Sequence, residues 1–417
     1  MKIAVVGSGI SGLTAAYLLS EDHEITVFEA NDYIGGHTNT VEVPSGGKSY
    51  AVDTGFIVFN EKTYPNFVTL MNRLGVSWRN SDMSFSVQCA RTGLEFKPSS
   101  LDTFFVQRKN LLRPSFYRML LDALRFKKEC EAVLEDGDDA QTLADFLVEN
   151  RYSKGFVDYF IIPMGAAIWS ADPVRFADFP VRYFAAFFKN HGFLNIKDQP
   201  QWLTIRGGSK QYIEPLTRRF ADRIRLNNPV TEIRRADDGV GVTVAGAGTE
   251  SFDQVVIAAH SDQALAMLAD PTPQEREILG AIAYQENDTV LHTDACMLPT
   301  RRKAWAAWNY FIPAEKTGRV AVTYDMNILQ GLGAEDEFCT TLNRTESVDP
   351  EKIIRRITYH HPVYTPTSLA ARRRREEISG KNRTWYCGAY WHYGFHEDGV
   401  RSAAEVCRHF GKSIENA

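Results

Sequence analysis

The sequence predicts an α/β fold in which a parallel β-sheet and the helix after its first strand organise the chain. Three observations predict this fold. Ile3 to Val6 is a short apolar run of the kind that a buried parallel strand needs. A glycine-rich turn, residues 7–12, follows it directly, and a helical pattern continues from the turn to Leu19. A second apolar strand, Ile25 to Phe28, then ends at the acidic Glu29, so the segment has the order of a βαβ unit.

The turn has the spacing GxGxxG, in which each glycine has a physical task. Gly7 permits the tight exit from the strand, Gly9 lets a pyrophosphate approach the backbone, and Gly12 lets the helix pack close to the sheet. The helix start offers unpaired N–H groups and a positive dipole end to phosphates. Glu29 stands close to the spacing of an acid that binds ribose hydroxyls. Because a carboxylate accepts hydrogen bonds from a 2′-OH, the sequence favours FAD or NAD over NADP.

The composition limits the classes of protein to which this chain can belong. The 417 residues suggest two or three domains' worth of chain, and 44% hydrophobic with 12% aromatic content can build sizeable cores. A net charge of −5 and the absence of zinc-finger or RNA-binding motifs argue against nucleic-acid binding. Six scattered cysteines without a CxxC predict reduced thiols in a cytoplasmic protein. We expect no signal peptide and no membrane span, since no run of about 18 apolar residues occurs.

Further polar and glycine segments follow the βαβ unit. Gly35-Gly36-His37 and Thr54-Gly55-Phe56 are each typical of ordinary turns, but in series behind GxGxxG they predict a second cradle on the same cofactor. Ile57 to Phe59 is strand-like. His360-His361 has no convincing third ligand, so we expect no metal site. The run Arg372 to Arg375 predicts a solvated turn.

Together these segments resemble the FAD-dependent amine oxidase and phytoene desaturase superfamily, which includes protoporphyrinogen oxidase. In that family GxGxxG and a Glu are followed by a Gly-Gly pair and usually Arg, where this chain has His37. The family's C-terminal flavin segment is similar to the strand that ends at Gly388 and to the Asp398-Gly399-Val400 step that opens the last helix. Ala389 replaces the acidic residue that often follows that strand. The segment around Val230 resembles the strand that contacts the adenine end of FAD.

The resemblance implies a two-domain flavoprotein with noncovalent FAD. Its Rossmann-like FAD-binding domain is expected to be discontinuous, over residues 1–100, 205–285 and 360–417. A mixed helical and β-sheet substrate domain is expected over residues 101–204 and 286–359. No general base is identified, and the flavin-proximal candidates are Trp391, Tyr393, Phe395 and Trp169. The expected cofactor-binding residues are Gly7, Gly9, Ser11, Gly12, Glu29, Ala30, Gly35, Gly36, His37, Thr54, Gly55, Phe56, Val230, Gly388, Asp398, Gly399 and Val400.

Two features of residues 101–204, in the expected substrate domain, bear on the nature of the substrate. Aromatic residues at helical spacing in Val181 to Phe193 indicate either a packed core or a cavity for an apolar ligand. An amphipathic helix is predicted over Arg113 to Leu134, with an apolar stripe that includes Phe116 and Leu124. Lysine and arginine crowd this region, which indicates either a solvated helix face or a surface for anionic lipid headgroups.

The expected function is FAD-dependent dehydrogenation of a hydrophobic, lipid-like substrate, an acyl chain, by hydride transfer to flavin N5. The segments Trp169 to Pro173 and Asn190 to Phe193 resemble a bacterial subgroup associated with fatty-acyl modification. Two alternatives stay open: an amine oxidase that produces imine and hydrogen peroxide, and a flavin- or lipid-binding protein without catalysis. The expected partner is a hydrophobic small molecule or lipid, and the expected location is cytoplasmic with peripheral contact at the inner face of the membrane.

Overall fold

The computed structural model describes residues 1–136, 141–192, 200–315 and 318–415, so Phe193 lies outside the described residues. The strands are β1 (Lys2–Val6), β2 (Glu24–Phe28), β3 (Thr40–Ser45), β4 (Lys48–Asp53), β5 (Trp78–Asn80), β6 (Phe85–Cys89), β7 (Leu94–Phe96), β8 (Leu203–Ile205), β9 (Ile224–Arg225), β10 (Val230–Arg235), β11 (Val240–Val244), β12 (Gly248–Phe252), β13 (Gln254–Ile257), β14 (Tyr284–His292), β15 (Trp308–Ile312), β16 (Val322–Asp325), β17 (Cys339–Leu342), β18 (Ile353–Pro362) and β19 (Thr384–Tyr386). The helices are α1 (Ile10–Leu19), α2 (Pro65–Arg73), α3 (Leu101–Phe104), α4 (Pro114–Asp136), α5 (Leu143–Glu149), α6 (Lys154–Phe156), α7 (Ile162–Trp169), α8 (Val181–Asn190), α9 (Ile213–Thr217), α10 (Ser261–Met267), α11 (Pro273–Gly280), α12 (Met326–Leu329), α13 (Pro366–Arg372) and α14 (His396–Arg408).

A parallel sheet carries the predicted βαβ unit. Its described strands have the order β19-β13-β1-β2-β9, and every neighbouring pair is parallel. Val5 of β1 lies between Val256 of β13 and Val27 of β2, and all three are fully buried. Every residue of α1 is buried as well, because the helix packs between this sheet and other elements that include α14. The predicted α/β fold class is confirmed.

A larger mixed sheet forms the second part of the molecule. Its described strands have the order β18-β14-β17-β16-β15-β6-β7, antiparallel except that β6 and β15 are parallel. Ser86 Oγ donates to Asn309 Oδ1 at 2.8 Å inside the β6–β15 pair. Residues 85–96 therefore share a sheet with residues 284–362, although the sequence predicts them in the other domain. The sequence cannot predict this pairing, because strands that pair over a long distance in the chain share no local periodicity. The domain boundaries themselves stay a prediction.

The helix predicted over Arg113 to Leu134 is α4, but its buried stripe differs from the predicted one. Phe116 is buried, whereas Leu124 is exposed and Phe126 takes the inward position. The helix packs against α6 and α8. Within the described ranges, no helix is long and apolar enough to cross a membrane.

Two other local predictions are wrong. Ile57 to Phe59 is not a strand; only one bridge, between Phe59 and Leu203, forms there. The arginine run is not a solvated turn, because Arg372 and Arg375 are both buried. Arg375 donates to the backbone oxygens of Tyr386 and Ser402 and pairs with Glu405 at 2.7 Å, which ties β19 to α14.

Candidate functional site

The turn between β1 and α1 contains two glycines that the fold itself requires and one that it does not. Gly7 has a φ of +105°, and a Cβ on Gly12 would lie 1.9 Å from the Gly7 carbonyl oxygen. Gly9 has an ordinary φ of −68°, and a Cβ there would meet nothing within 4 Å. Gly9 therefore faces open space at the start of α1, which is the space that a pyrophosphate at this helix end needs.

Glu29 directly follows β2, and its carboxylate accepts hydrogen bonds from four donors. Oε2 accepts from Ser8 N at 2.9 Å and from Ser8 Oγ at 2.6 Å. Oε1 accepts from Asn31 N and Asn31 Nδ2, both at 2.9 Å. A carboxylate has about four lone-pair sites, so a ribose hydroxyl at Glu29 has to share or replace one of these donors.

The neighbourhood of Glu29 also contains the predicted adenine-side residues. Asn228 N donates to the Glu29 carbonyl oxygen at 2.9 Å. Val230 begins β10 two residues later and is half-buried, while Ala30 is exposed beside Glu29. The structure thus places these residues together, and their contact with a cofactor stays a prediction.

The Gly35-Gly36 pair lies against the first turn. Gly35 forms a bridge with Gly9, and Gly35 N donates to Ser8 O at 3.0 Å. Gly36 has a φ of +59°, and a Cβ on it would lie 3.2 Å from Gly9 Cα. Two glycine segments therefore line the same space around Gly9, as the series of motifs predicts, and the residues present fit a dinucleotide phosphate.

His37 is a neutral group among aromatic and histidine side chains. Its ring stacks on Tyr359 at 4.8 Å, and the His361 ring lies 5.5 Å away. Burial, with lesser contributions from His260 and His360, lowers the pKa of His37 to about 4. Its buried Nε2 has no hydrogen-bond partner among the described residues. At neutral pH His37 can therefore offer a hydrogen bond to a ligand, but not the positive charge of the family's usual Arg.

The Thr54-Gly55-Phe56 segment links His37 to the last helix. Thr54 Oγ1 lies 2.9 Å from the Tyr359 hydroxyl, and a Cβ on Gly55 would lie 2.2 Å from His37 O. The Phe56 ring stacks on His396, the first residue of α14, at 3.6 Å and 11°. Burial holds the pKa of His396 well below its usual range, so this ring is also neutral.

The start of α14 meets the start of α1. A Cβ on Gly399 would lie 2.7 Å from Ile10 Cγ2 and 2.9 Å from Ser11 Oγ. Asp398 Oδ2 accepts from Phe395 N at 2.9 Å, and burial raises the pKa of this carboxyl to about 6.

The remaining predicted C-terminal residues lie in the same region. Gly388 follows β19, and its N–H donates to Ser402 Oγ of α14 at 2.7 Å. Val400, in the first turn of α14, is fully buried. Residues from the two ends of the chain therefore converge on one region.

Three of the four flavin-proximal candidates lie together. Trp169 Nε1 donates to Tyr393 O at 3.2 Å, and the Trp169 and Phe395 rings lie 6.5 Å apart. Trp391 lies elsewhere, 4.9 Å from the Tyr390 ring and below the Arg375 guanidinium. Trp391 packs in the hydrophobic cluster around β13, whereas the other three candidates pack in the cluster around α7 and α8.

Helix α8 completes an aromatic cluster around these three candidates. The Phe187 and Phe395 rings lie 5.3 Å apart, and the Tyr183 and Tyr393 rings 4.7 Å apart. Tyr183 OH donates to His392 O at 2.7 Å. The rings pack against one another in this structure, which favours the core interpretation over a wide cavity. The Tyr364 ring stacks on Tyr183 at 5.6 Å, and we define the aromatic cluster as Trp169, Tyr183, Phe187, Tyr364, Tyr393 and Phe395.

Sequence reasoning missed several neighbours of the predicted residues. Ser8 lies inside the glycine motif, and its position there was a usable signal. Tyr359 and His361 alternate along β18, so period-two reasoning could have placed them on one face. His396 precedes the Asp398-Gly399 step without any pattern of its own. In the part of the chain that the structure describes, no three His, Cys, Asp or Glu side chains are grouped to hold a metal.

The chain matches a family model and several curated proteins. The family model described as flavin containing amine oxidoreductase matches residues 10–339. A flavin-dependent L-tryptophan oxidase of Lentzea aerocolonigenes is 27% identical over 276 residues, 61% of this chain and 57% of that protein. Protoporphyrinogen oxidase 2 of Arabidopsis thaliana is 28% identical over 178 residues, 41% of this chain and 33% of that protein. The chain thus spans between a third and three fifths of these relatives.

Solved structures share the fold over nearly the whole chain. Cyclohexylamine oxidase from Brevibacterium oxydans superposes with a TM-score of 0.68 and 17% identity, covering 98% of this chain and 99% of that one. A fatty acid isomerase from P. acnes that produces CLA superposes with a TM-score of 0.69 and 18% identity, covering 98% of each chain. At these identities the likeness shows the fold alone.

Proposed function

Because the chain belongs to the family of flavin-containing amine oxidoreductases, we propose that it is an FAD-dependent oxidoreductase that removes two hydrogens from a lipid-like acyl chain. FAD, which we expect to bind noncovalently, supplies the two-electron acceptor. The observation that carries the substrate class is the aromatic cluster. Tyr393 and Phe395 precede α14, whose first turn we expect to lie near the flavin. Both pack against the aromatic rings of α7 and α8.

The chain's own residues have separable tasks in this proposal. Gly9 and Gly36 leave room for the phosphates, and Glu29 holds the ribose. His37 and Phe56 lie between the glycine turns and the start of α14. The rings of the aromatic cluster, which pack against one another in this structure, would have to separate to admit an apolar chain, and they would then exclude water and orient that chain.

The polar surroundings of the cluster suit an apolar substrate better than an ammonium. Asp398, a carboxyl that acts electrostatically on Tyr183 and Tyr393, already accepts from Phe395 N. Burial raises the pKa of Asp398 to about 6, so its negative charge costs more there than in water, but the carboxyl is still mostly ionised at pH 7. The Arg372 guanidinium lies over the Tyr364 ring of the cluster, 3.8 Å from its centroid, and this cation disfavours a second cation such as an ammonium nearby.

An amine oxidase is the second candidate, and the tryptophan oxidase match and the family description favour it. Solved structures of this fold include both a cyclohexylamine oxidase and a fatty acid isomerase, so the fold is compatible with either substrate class. Anaerobic reduction of the bound flavin separates the two candidates. Detergent-dispersed phospholipid, cyclohexylamine and L-tryptophan are mixed with the protein, and the flavin absorbance is followed.

We expect the phospholipid to bleach the flavin and the two amines to leave it oxidised. Phe187→Leu should slow the bleaching, because Phe187 touches Phe395, whereas the neighbouring Phe188 stacks on Phe184. Phe188→Leu is thus the matched control with a similar loss of packing. Bleaching by an amine would establish the second candidate, and bleaching by no compound would favour a binding protein without catalysis.

A further inference from the structure

An apolar surface is exposed where the chain enters α4. Leu112 is 88% exposed at the tip before the helix, and Leu121 is 62% exposed on it. Tyr117, Leu121 and Leu124 follow helical spacing on one side, and a depression of about 390 Å³ lies between the tip and the helix. The leucine face, as we name this surface, consists of Leu111, Leu112, Pro114, Tyr117, Leu121 and Leu124.

Basic side chains surround the leucine face. Residues 108–128 contain seven Lys or Arg and one acidic residue, Asp122, which is buried. Lys109 and Arg113 are exposed on either side of the leucine tip, and Lys128 is exposed one turn beyond Leu124. Arg118 lines the depression itself and pairs with Asp122 at 3.2 Å. The face is therefore apolar at its centre and positive at its rim.

We propose that the leucine face docks onto a lipid bilayer that contains anionic headgroups. Leucines at a protruding tip can enter the boundary between headgroups and acyl chains, while flanking Lys and Arg contact the anionic headgroups. A protein partner fits less well, because protein interfaces are depleted in Lys and enriched in aromatic anchors. The docking rests on this surface alone, whereas its purpose, access to an acyl substrate, rests on the proposed function.

Packed aromatic side chains connect the leucine face to the aromatic cluster. Phe126, on the inner side of α4, lies 6.0 Å from Phe184 of α8. Phe184 in turn lies 6.1 Å from Trp169 of the cluster. The helix that would lie on the bilayer is therefore separated from the proposed substrate region by a single helix, α8.

Co-sedimentation with vesicles tests the docking. The holoprotein is mixed with vesicles of phosphatidylcholine alone or with added phosphatidylglycerol, at low and high salt. We expect binding that rises with phosphatidylglycerol and falls with salt. Each basic residue near an anionic surface contributes about fivefold, so Lys109→Ala with Arg113→Ala should weaken binding about 25-fold. Leu112→Ser should weaken it about tenfold or more.

Two variants elsewhere on the surface serve as matched controls. Val148, 76% exposed on α5, is replaced by Ser, and the exposed Lys48 is replaced by Ala. Neither should change vesicle binding. Failure of the wild type to bind anionic vesicles, or equal loss in the controls, overturns the proposal. It is also overturned if Leu112→Ser only converts a dimer into a monomer, because the face then joins two copies of the chain. Retained docking without flavin reduction by detergent-dispersed lipid would refute the proposed function and not the docking.

Discussion

Replacing Gly9 by alanine separates the requirements of the fold from those of the cofactor. The Gly9 backbone, at φ −68° and ψ 176°, is ordinary for any residue, and its Cβ would meet no protein atom within 4 Å. Alanine is a poorer N-cap residue than glycine, which costs about 1 kcal/mol. It regains about 0.4–1 kcal/mol, because the unfolded chain has less freedom. The free energy of unfolding of the apoprotein should therefore change by about 1 kcal/mol or less.

The same methyl group should weaken FAD binding strongly. It occupies the space in which the phosphates approach the backbone, and overpacking of this kind costs about 1–3 kcal/mol. The dissociation constant of FAD should rise about 5- to 150-fold, and further for Gly9→Val. Titration of apoprotein with FAD, followed by quenching of flavin fluorescence, measures the constant. Thermal unfolding of the apoprotein gives the stability.

Two other glycines provide control variants for this experiment. A Cβ on Gly280, the last residue of α11, would lie at an ordinary 3.6 Å from Leu265 Cδ2, so Gly280→Ala should leave FAD binding unchanged and stabilise the apoprotein by about 0.4–1 kcal/mol. Gly12→Ala should destabilise the fold itself, because its Cβ would lie 1.9 Å from the Gly7 carbonyl oxygen. Wild-type FAD affinity in Gly9→Ala would refute the placement of the phosphates. So would a loss of apoprotein stability as large as that of Gly12→Ala.

Three further predictions concern buried polar groups. Glu29→Ala should weaken FAD binding and also destabilise the apoprotein in urea, because the buried N–H of Ser8 loses its acceptor, at about 1–3 kcal/mol; an unchanged apoprotein would contradict this. Arg375→Ala should cost about 1–3 kcal/mol or more, because two buried backbone carbonyls and the partly buried Glu405 lose this donor, whereas Arg401→Ala, which breaks an exposed pair with the same carboxylate, should cost less than about 1 kcal/mol. Burial lowers the pKa of His292 to about 4 from 6.5, so its neutral form stabilises the fold above pH 6.5 and this contribution is lost as the pH falls towards 4. His292→Gln should flatten the pH dependence of unfolding in that window, and a profile parallel to wild type would refute the assignment.

The parts of the fold that the sequence predicts best are those whose causes are local. The β1–α1–β2 unit follows from an apolar run, a glycine spacing and a terminal acid that lie within thirty residues. Residues 85–96 depend instead on a partner strand more than two hundred residues away, and nothing in their own alternation identifies it. Arg375 shows that the burial of a charged residue can also depend on distant partners. Four consecutive arginines favour a solvated turn, but carbonyl acceptors from β19 and α14 meet this one inside the protein.

The candidate site shows a second limit, which concerns charge state. The family pattern has Arg after the Gly-Gly pair, and sequence alone cannot show that burial keeps His37 neutral. If the phosphates lie where the glycine turns predict, a neutral residue 37 gives them no cation at that position, and we expect the positive potential to come mainly from the backbone. The turns at Gly9 and Gly36 supply N–H groups, and the N-termini of α1 and α14 meet because Gly399 has no side chain to separate them. We therefore expect the positive ends of α1 and α14, which meet at Gly399, to compensate in part for the missing arginine.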